Sequence, residues 1–339
     1  MIKIDIAIPI LNEEKFILSC LESIKNFSKP FDCKVQTFIL DGGSSDETLN
    51  IVKNFIEINN SFFLKNNPKR IQPAAMNMVI KNFNSDYLMR LDAHCIYPAD
   101  YLEKCLETSM RTKSENVGGV LETLPGGDGL GAKIVQNISS NAFGVGGSGF
   151  RVGMEEGETD TVPFGFFSKD AIYKNGLFDE ELVRAQDFEY NKRIKRNGGS
   201  IWINPKISAK YYNQKYYFKF LKKLLLKDGP YNAYMWFKYP YTLSFRHLIP
   251  SLFFLGNIFG IILSSFSIFF LYFYFLVLSF YFLLAHIAAV QIYISSGHLM
   301  SSVLMPISFF LMHISYGAGE VFGAIKILLN KAPINKAKE

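Results

Sequence analysis

The chain has 339 residues, 49% of them hydrophobic and 15% aromatic, which allows one large domain and a further segment. Its 36 Lys and Arg residues against 30 Asp and Glu residues give a modest net charge of +6. The four cysteines form no CxxC pair, so we expect free, mostly buried thiols without a chemical role. The sequence contains no internal repeat and no low-complexity segment.

Apolar strands alternate with helices over the first 125 residues. The predicted strands are 4–10, 35–40, 61–66, 86–91 and 117–124. The predicted helices are 13–26, 46–59, 73–81 and 98–113; we expect Ser44 or Ser45 to cap the second, with Glu47 in a capping box. This alternation predicts parallel βαβ units, that is, an α/β sheet covered by helices on both faces.

The segment 125–160 contains two glycine-rich runs, "GGDGLG" and "GVGGSGFRVG", and is predicted to form mobile loops. These loops could cover a substrate or serve only as a flexible connection. Neither run fits a P-loop or a dinucleotide-binding fingerprint. Beyond it, we predict a short strand, helices at 169–175 and 186–197, and a strand at "SIWI".

The C-terminal third is strongly apolar. No Lys, Arg, Asp or Glu occurs from Leu248 to Gly319, and about 20 mainly apolar residues suffice to cross a bilayer. We predict two or three membrane helices, near 249–269, 272–294 and 301–325, in preference to a very apolar soluble core. Glu320, alone in the third segment, is expected at an interface or in a protein-lined groove.

Amphipathic helices are predicted over residues 213–247, next to this apolar block. Lysines interleaved with Tyr and Phe cluster there, which suits an anionic leaflet better than nucleic acid, because a membrane segment follows directly. No signal peptide is visible, so the N-terminal part is expected in the cytosol. The positive-inside tendency favours an even number of crossings, whereas the segment count favours three.

Three predicted strands end in polar sequences, "PILNEE", "DGGSSD" and "RLDAHC". Ligands of parallel α/β sheets bind beyond the carboxyl ends of the strands. We therefore expect Glu13, Asp41, Asp92 and His94 to converge on one edge of the sheet. Capping and turn roles could explain each residue singly, but they explain three carboxylate-bearing strand ends poorly.

Each of these side chains suits a particular ligand. Asp41 can accept hydrogen bonds from a flat donor such as a base N–H, and the glycines after it allow a ring to lie against the backbone. Asp92 and His94, two residues apart, can reach one divalent cation, and the imidazole favours Mn²⁺ over Mg²⁺. A merely structural role for His94 remains open.

Two further segments carry candidate groups. Arg70 precedes a helix that Pro73 could open, where an arginine can contact an anion or remain a solvated surface charge. Asp187 and Glu189, in "RAQDFEYNKRI", start a predicted helix. They could simply cap it, or a carboxylate there could act as a general base that deprotonates a hydroxyl.

In combination, these motifs resemble the inverting family 2 glycosyltransferases over about Ile4 to Asn204. "IPILNEE" looks like the opening motif of that family, "DGGSSDET" is close to its second strand-end motif, and "LDAH" takes the place of its metal-binding DxD. "QDFEYNKRIKRNGGSIW" looks like its acceptor helix. Together with "NPKRIQPAAMN" and the C-terminal apolar block, the likeness is closest to exopolysaccharide glucosyltransferases of the succinoglycan type.

The resemblance implies a GT-A-type nucleotide-sugar-binding domain with a mostly parallel sheet, and it implies residue roles. Pro9, Leu11 and Glu13 would line the nucleoside pocket, Asp41 would read uracil, and Arg70 and Ala93 would belong to the same nucleotide-sugar site. Asp92 and His94 would hold Mn²⁺ or Mg²⁺ on the diphosphate, and Asp187 would be the base. Leu11 departs from the usual aromatic residue, His94 from the second Asp of DxD, and Gln186 from a frequent Glu.

The implied organisation is a cytosolic catalytic domain (1–210), interfacial helices (211–247), a membrane region (248–329) and a basic tail (330–339). The implied activity, at the inner membrane, is transfer of a hexose from UDP-sugar to a lipid-linked saccharide. Two alternatives are a polyprenyl-phosphate sugar transferase and a non-catalytic scaffold that kept the fold. A processive synthase is disfavoured, because neither Trp follows an Arg as in its QxxRW signature.

Overall fold

A computed structural model describes residues 1–29 and 33–331, which divide into two compact units. The first unit comprises Met1–Glu122 and Gly153–Tyr211. The second comprises Thr123–Val152 and the described residues from Tyr212 onward. Residues 332–339, most of the predicted basic tail, lie outside the described part of the chain.

Within the described residues, nine strands form one sheet. In chain order, they are β1 (Ile2–Ile10), β2 (Cys33–Asp41), β3 (Phe62–Asn66), β4 (Tyr87–Arg90), β5 (Cys95–Ile96), β6 (Asn116–Leu124), β7 (Gly157–Glu158), β8 (Phe166–Ser168) and β9 (Ile201–Tyr212). Their order is β3-β2-β1-β4-β8-β6-β9-β5, with β7 also paired to β9.

The helices of both units are, in chain order, α1 (Ile17–Lys25), α2 (Thr48–Glu57), α3 (Gln72–Ile80), α4 (Tyr101–Thr112), α5 (Leu130–Ser139), α6 (Ala142–Val145), α7 (Gly149–Val152), α8 (Lys169–Asn175), α9 (Gln186–Arg196), α10 (Tyr217–Lys223), α11 (Gly229–Lys238), α12 (Phe245–Ser264), α13 (Ile268–Ser296), α14 (Leu299–Val303) and α15 (Met305–Leu328). A π-helical turn, Leu224–Asp228, joins α10 to α11.

The sheet is mixed, and its parallel part carries the candidate residues. Strand β1 pairs in parallel with β2 and with β4, and β2 pairs in parallel with β3. Strand β8 runs antiparallel to β4 and β6, and β9 runs antiparallel to β5 and β7. The predicted α/β class with parallel βαβ units is therefore confirmed, and the parallel strands end along one edge of the sheet.

The five predicted N-terminal strands and four helices are all present, with shifted ends. Helix α1 begins only at Ile17, because the chain first turns through Asn12, whose φ is 57°. The predicted capping box of α2 is wrong. The hydroxyl of Ser44 accepts the N–H of Asn12, and the N–H of Ser45 donates to the side chain of Asn12. The N–H of Thr48 is accepted by Asp46 instead. Strand β9 continues well beyond the predicted "SIWI".

The segment 125–160 is more ordered than its glycines predict, since it contains α5, α6 and α7. Helix α5 buries Ala132, Ile134, Val135 and Ile138 at helical spacing. This amphipathic pattern drives the helix despite the flanking glycines, because the apolar face finds a packed core.

Two helices of the described chain, α12 and α13, are long and apolar enough to cross a membrane by length and composition. They correspond to the predicted segments 249–269 and 272–294. The third predicted segment forms α14 and α15 instead. Because the hairpin of α12 and α13 turns at residues 265–267, two crossings by these helices would return the chain to the side on which it entered.

Helix α15 packs closely on its neighbours in the second unit through glycines. An added Cβ at Gly317 would lie 2.0 Å from the carbonyl oxygen of Pro250 in α12, and one at Gly323 would lie 2.6 Å from the Cα of Pro230 in α11. Between them, the buried Glu320 carboxylate accepts hydrogen bonds from Ser251 and Asn232. Glu320 therefore lies in a protein-lined site, the second of its two expected positions.

A glycine of the first unit offers a test of the sheet packing. A Cβ at Gly119 in β6 would lie 1.8 Å from the carbonyl oxygen of Ile207 in β9, whereas a Cβ at Gly157 in β7 has no atom within 4 Å. We expect Gly119→Ala to lower the free energy of unfolding of the first unit by about 3 kcal/mol, since overpacking forces the backbone apart. Gly157→Ala is the matched control and should change it little.

The urea concentration at the unfolding midpoint is measured from the tryptophan fluorescence of the full chain in detergent. A Trp236→Phe background leaves Trp202, in the first unit, as the remaining one of the chain's 2 tryptophans. Equal midpoints for the two glycine variants would contradict the β6–β9 contact.

Candidate active site

The side chain of Asp41, the last residue of β2, bonds to the loop that follows this strand. Its side chain is 4% exposed and accepts hydrogen bonds from the N–H of Gly43 (2.9 Å), the N–H of Ser44 (3.1 Å) and the hydroxyl of Ser44 (2.6 Å). Gly43 has a φ of 82°, which a glycine adopts without strain. The carboxylate therefore organises the glycine turn that follows the strand.

Two residues from other parts of the chain hold this loop. Arg70, at a φ of 58°, donates from Nε to the carbonyl of Gly42 (2.8 Å) and from Nη2 to that of Gly43 (3.0 Å). Asn12, after β1, accepts the N–H of Ser45 (2.8 Å). The loops after β1 and β2 are thus joined by hydrogen bonds, as expected for neighbouring parallel strands.

Glu13 and His94 meet where β1 and β4 end. Nδ1 of His94 lies 3.1 Å from Oε1 of Glu13, and both side chains are partly exposed. The His94 ring also lies edge-on to Tyr211 of β9, with 5.1 Å between ring centroids. A carboxylate beside one ring nitrogen fixes the orientation of an imidazole and supports its use as a ligand through the other nitrogen.

Asp92 and Asp187 share one arginine. Arg90, the last residue of β4, donates from Nη2 to Oδ1 of Asp92 (2.8 Å), and its Nη1 lies 3.4 Å from Oδ2 of Asp187. The Arg90 side chain is 7% exposed, and those of Asp92 and Asp187 are 18% and 43% exposed. Burial acts to lower the pKa of Arg90, but the two carboxylates outweigh it and raise that pKa, so the guanidinium stays charged.

Asp92 is also connected to the start of α9 through the side-chain amides of Gln72 and Gln186. Gln72, the first residue of α3, donates from Nε2 to Oδ1 of Asp92 (3.3 Å). Gln186, the first residue of α9 and the neighbour of Asp187, donates from its side chain to Oε1 of Gln72. Asp187 itself lies in the first turn of α9 and accepts the N–H of Phe188 (2.9 Å).

The predicted site residues thus fall into three linked groups. Asp41 is linked to Arg70 through the backbone of Gly42 and Gly43, and to Asn12 through Ser44; Glu13 joins His94; and Asp92 joins Asp187 through Arg90. The other predicted members differ in exposure. Leu11 is 43% exposed and Pro9 half-buried, whereas Ala93 is 1% exposed and presents almost no surface to a ligand.

Comparison with known proteins identifies the family. The Glycosyl transferase family 2 domain matches residues 5–173. A dolichyl N-acetyl-α-D-glucosaminyl phosphate 3-β-D-2,3-diacetamido-2,3-dideoxy-β-D-glucuronosyltransferase of Methanococcus voltae is 31% identical over 263 residues, covering 73% of this chain and 81% of that protein. The chain belongs to glycosyl transferase family 2. It is an enzyme, and the scaffold alternative is withdrawn.

Two further likenesses agree with this assignment. The succinoglycan biosynthesis protein ExoA of Rhizobium meliloti (strain 1021) is 32% identical to this glycosyltransferase over 209 residues, covering 61% of the chain and 62% of that protein. The mannosyltransferase PcManGT of Pyrobaculum calidifontis, solved with GDP-Man and Mn²⁺, has a TM-score of 0.57 at 16% identity and covers 97% of this chain and 87% of its own. This structural likeness supports the GT-A-like fold.

Three residues of the site were missed from the sequence: Arg90, Gln72 and Gln186. Arg90 has a visible signal, because a charged residue in the apolar run "YLMRL" of a buried strand requires a charged partner. The two glutamines had none: Gln186 was noted only as a departure from a frequent Glu, and Gln72 lies 20 residues from its partner Asp92.

A divalent ion, which family 2 enzymes of this fold typically use, fits the site only with help from a ligand. Within residues 1–29 and 33–331, no three His, Cys, Asp or Glu side chains come together as a preformed metal site. Oδ1 of Asp92 is occupied by Arg90 and Gln72, while its Oδ2 accepts no hydrogen bond from the described residues. One open carboxylate oxygen suits an ion held mainly by phosphate oxygens.

The cysteines confirm the expectation of free thiols and give a test of the site's packing. Cys20 donates to the carbonyl of Asp92 (3.6 Å), and burial raises the pKa of Cys20, Cys95 and Cys105. Since the thiolate is the reactive form, these three should resist maleimide at pH 7 and gain little reactivity at pH 9, unlike an ordinary thiol with a pKa of about 8.5.

Cys33, which is partly exposed, serves as the internal control and should be modified in the native chain. Mass spectrometry of the modified peptides before and after unfolding in urea measures all four sites at once. Native-state modification of Cys20 or Cys95 would contradict the packing beneath Asp92.

Proposed function

We propose that the protein is a membrane-bound, inverting glycosyltransferase that moves a hexose from a UDP-sugar to a hydroxyl of a lipid-linked saccharide in cell-surface polysaccharide synthesis. The observation that carries the proposal is the pair of carboxylates joined by Arg90. Asp92 has an open oxygen at the end of β4, and Asp187 is half-exposed in the first turn of α9. Two carboxylates so placed can serve the donor and the acceptor separately.

The donor's nucleoside is assigned to the loops after β1 and β2. Exposed Leu11 and half-buried Pro9 offer apolar surface, and Glu13 lies at the same strand end. Asp41 would accept the N–H of a uracil by sharing an oxygen that already accepts hydrogen bonds from Gly43 and Ser44. The Nη1 of Arg70 has no partner among the described residues, so it can contact a phosphate while Nε and Nη2 hold the loop.

The diphosphate is assigned to the end of β4. Asp92 would hold a divalent ion through Oδ2, with His94 as a second ligand oriented by Glu13 and with Ala93 between them in the chain. Such an ion would supply neutralising charge to the departing diphosphate. The protein's part is to offer few ligands and leave the remaining positions to phosphate oxygens, which suits Mn²⁺ or Mg²⁺.

The transfer step requires one base. Asp187 would accept the proton of the acceptor hydroxyl while its oxygen attacks the anomeric carbon from the face opposite the nucleotide. The bond from that carbon to the diphosphate oxygen breaks, and UDP leaves. A single displacement inverts the configuration, and no second carboxylate nucleophile is needed.

The acceptor class is proposed from the two relatives. The name of the Methanococcus protein states a dolichyl-linked sugar phosphate as its acceptor, and that of the Rhizobium protein states succinoglycan biosynthesis. From the first name we propose a sugar hydroxyl on a lipid carrier as the acceptor, and from the second a role in polysaccharide synthesis. The polyprenyl-phosphate alternative differs in that the lipid phosphate itself would be the nucleophile.

Membrane attachment is proposed from the second unit. Helices α12 and α13 would cross the inner membrane as a hairpin, which fits the positive-inside preference for an even number of crossings. Residues 211–247 would lie at the cytosolic surface, where exposed Phe218, Leu226 and Phe237 occur among the lysines of α10 and α11. We propose 1–210 as the cytosolic catalytic domain, 248–329 as the membrane region and 330–339 as a basic tail.

Asp187→Asn tests the activity directly. Loss of a general base should lower kcat on the order of 10³-fold with little change in donor affinity. Asp170→Asn, in the exposed first turn of α8, is the matched control and should retain parental kcat. The assay follows labelled UDP-glucose, UDP-N-acetylglucosamine and GDP-mannose, each offered to the full chain in detergent with either undecaprenyl-diphosphate-linked hexose or undecaprenyl phosphate.

Transfer to the hexose hydroxyl that is lost in Asp187→Asn supports the proposal. Transfer only to undecaprenyl phosphate would establish the alternative acceptor. Undiminished turnover in Asp187→Asn would remove this residue as the base.

The two parts of the donor site can be separated by measuring UDP binding by calorimetry, with MnCl₂ or with excess chelator. Asp41→Ala should raise the UDP dissociation constant under both conditions, because it removes a contact to the base. Asp92→Asn should raise it about tenfold only when Mn²⁺ is present, because it weakens the ion alone.

Ser44→Ala controls for loosening of the glycine loop, since it removes one bond to Asp41 but keeps the carboxylate. Unchanged binding in Asp41→Ala would exclude Asp41 from the nucleotide site. Equal UDP binding with and without Mn²⁺ in the parent would exclude an ion bound by Asp92 and His94.

A further inference from the structure

Arg90 is a charged side chain on a buried strand. Its neighbours Leu88, Met89 and Leu91 are fully buried, and Arg90 itself is 6% exposed. A buried guanidinium is retained only where carboxylates compensate for its lost hydration. Here the compensation comes from Asp92 and Asp187 together, since each takes one end of the fork.

Asp187 depends on this arginine for its position. The carboxylate is 43% exposed, and of the described side chains only Arg90 pairs with it. Its side chain also accepts the N–H of the adjacent Phe188, which does not fix the position of the group relative to the strands. Without Arg90, an exposed carboxylate would exchange between rotamers.

The amides close this connection into a ring. From Gln186 the chain of contacts passes to Gln72, Asp92, Arg90 and Asp187, which is again the neighbour of Gln186 on α9. Helix α9 is therefore tied to the end of β4 by two arms, one charged and one neutral. Two arms fix both the separation and the rotation of the helix start, which one contact would not.

We infer that Arg90 is a positioning residue, with Gln72 as its neutral counterpart, that fixes Asp187 at a set distance from Asp92. The inference rests on the proposed function, in which Asp187 is the base and Asp92 faces the diphosphate. Arg90 acts on the rate through Asp187. A reacting hydroxyl must be held at hydrogen-bond distance from its base, and a misplacement of about 1 Å can cost on the order of 100-fold in rate, so loss of this control lowers kcat rather than donor binding.

A role of Arg90 in stability alone would have different consequences. If Arg90 only stabilised the sheet, its loss would lower the melting temperature and leave kcat unchanged in the chain that remains folded. The split between kcat and donor affinity separates the two roles, and so does rescue by lysine. Lysine keeps the charge, but its single ammonium lacks the planar fork that reaches two carboxylates.

The experiment compares Arg90→Met and Arg90→Lys in the full chain, with labelled UDP-sugar transfer and UDP calorimetry on each. We expect kcat to fall at least 100-fold in Arg90→Met and about tenfold in Arg90→Lys, with the UDP dissociation constant within threefold of the parent. Arg111→Lys, which alters an ion pair with Glu156 elsewhere in the unit, is the control and should match the parent in both.

A double variant tests whether Arg90 works through Asp187. Adding Arg90→Met to Asp187→Asn should cost less than a further threefold in kcat, because the group being positioned is already absent. Multiplication of the two single losses would overturn the inference. Parental kcat in folded Arg90→Lys and Arg90→Met would also overturn it, as would a loss of UDP binding equal to the loss of kcat.

Gln72→Ala covers the case in which Arg90→Met does not fold, since it cuts the neutral arm without removing a buried charge. It should lower kcat at least fivefold with unchanged UDP binding, and parental kcat there would count against the ring. Absence of transfer by the parent with every donor overturns the proposed function and the inference together. Transfer by the parent with unaffected variants overturns the inference alone.

Discussion

The parallel pairing of β1 with both β2 and β4 is the constraint on which the site depends. The β1–β2 register runs from Ile2 opposite Cys33 to Ile10 opposite Asp41, so both strands end at the same level. Strand β4 pairs with β1 on its other side, which brings the residues after Arg90 to the same edge. Side chains far apart in sequence meet there because parallel strands release their loops in one direction.

Much of this edge could be predicted from the sequence, because it follows from hydrophobic pattern and strand endings. Apolar runs and their polar ends located β1, β2 and β4, and Glu13 and His94, two of the four residues expected to converge on one edge, lie in contact. The link from Asp92 to Asp187 could not be predicted, because it depends on how α9 packs in three dimensions. Long-range side-chain pairing leaves no periodic signal in the sequence.

The differences in secondary structure have local physical reasons. The glycine content predicted loops where α5 forms. The apolar spacing of Ile134 and Ile138 favours a helix there, and it outweighs the low helix propensity of glycine. The capping box was wrong because Ser44 is used by Asp41, a partner three residues away whose carboxylate competes for the hydroxyl. Tertiary packing in the first case, and a competing hydrogen bond within the same loop in the second, outweighed a local preference of a few tenths to about 1 kcal/mol.

The bonds that hold the turn after β2 have a thermodynamic consequence. Arg70, Asn12 and Asp41 fix the backbone of residues 42–45 before any ligand arrives. Ordering a free loop would cost about 1–2 kcal/mol of conformational entropy for each residue. A ligand that settles against this turn meets a surface already in its final shape, so its binding enthalpy is not consumed in ordering the chain.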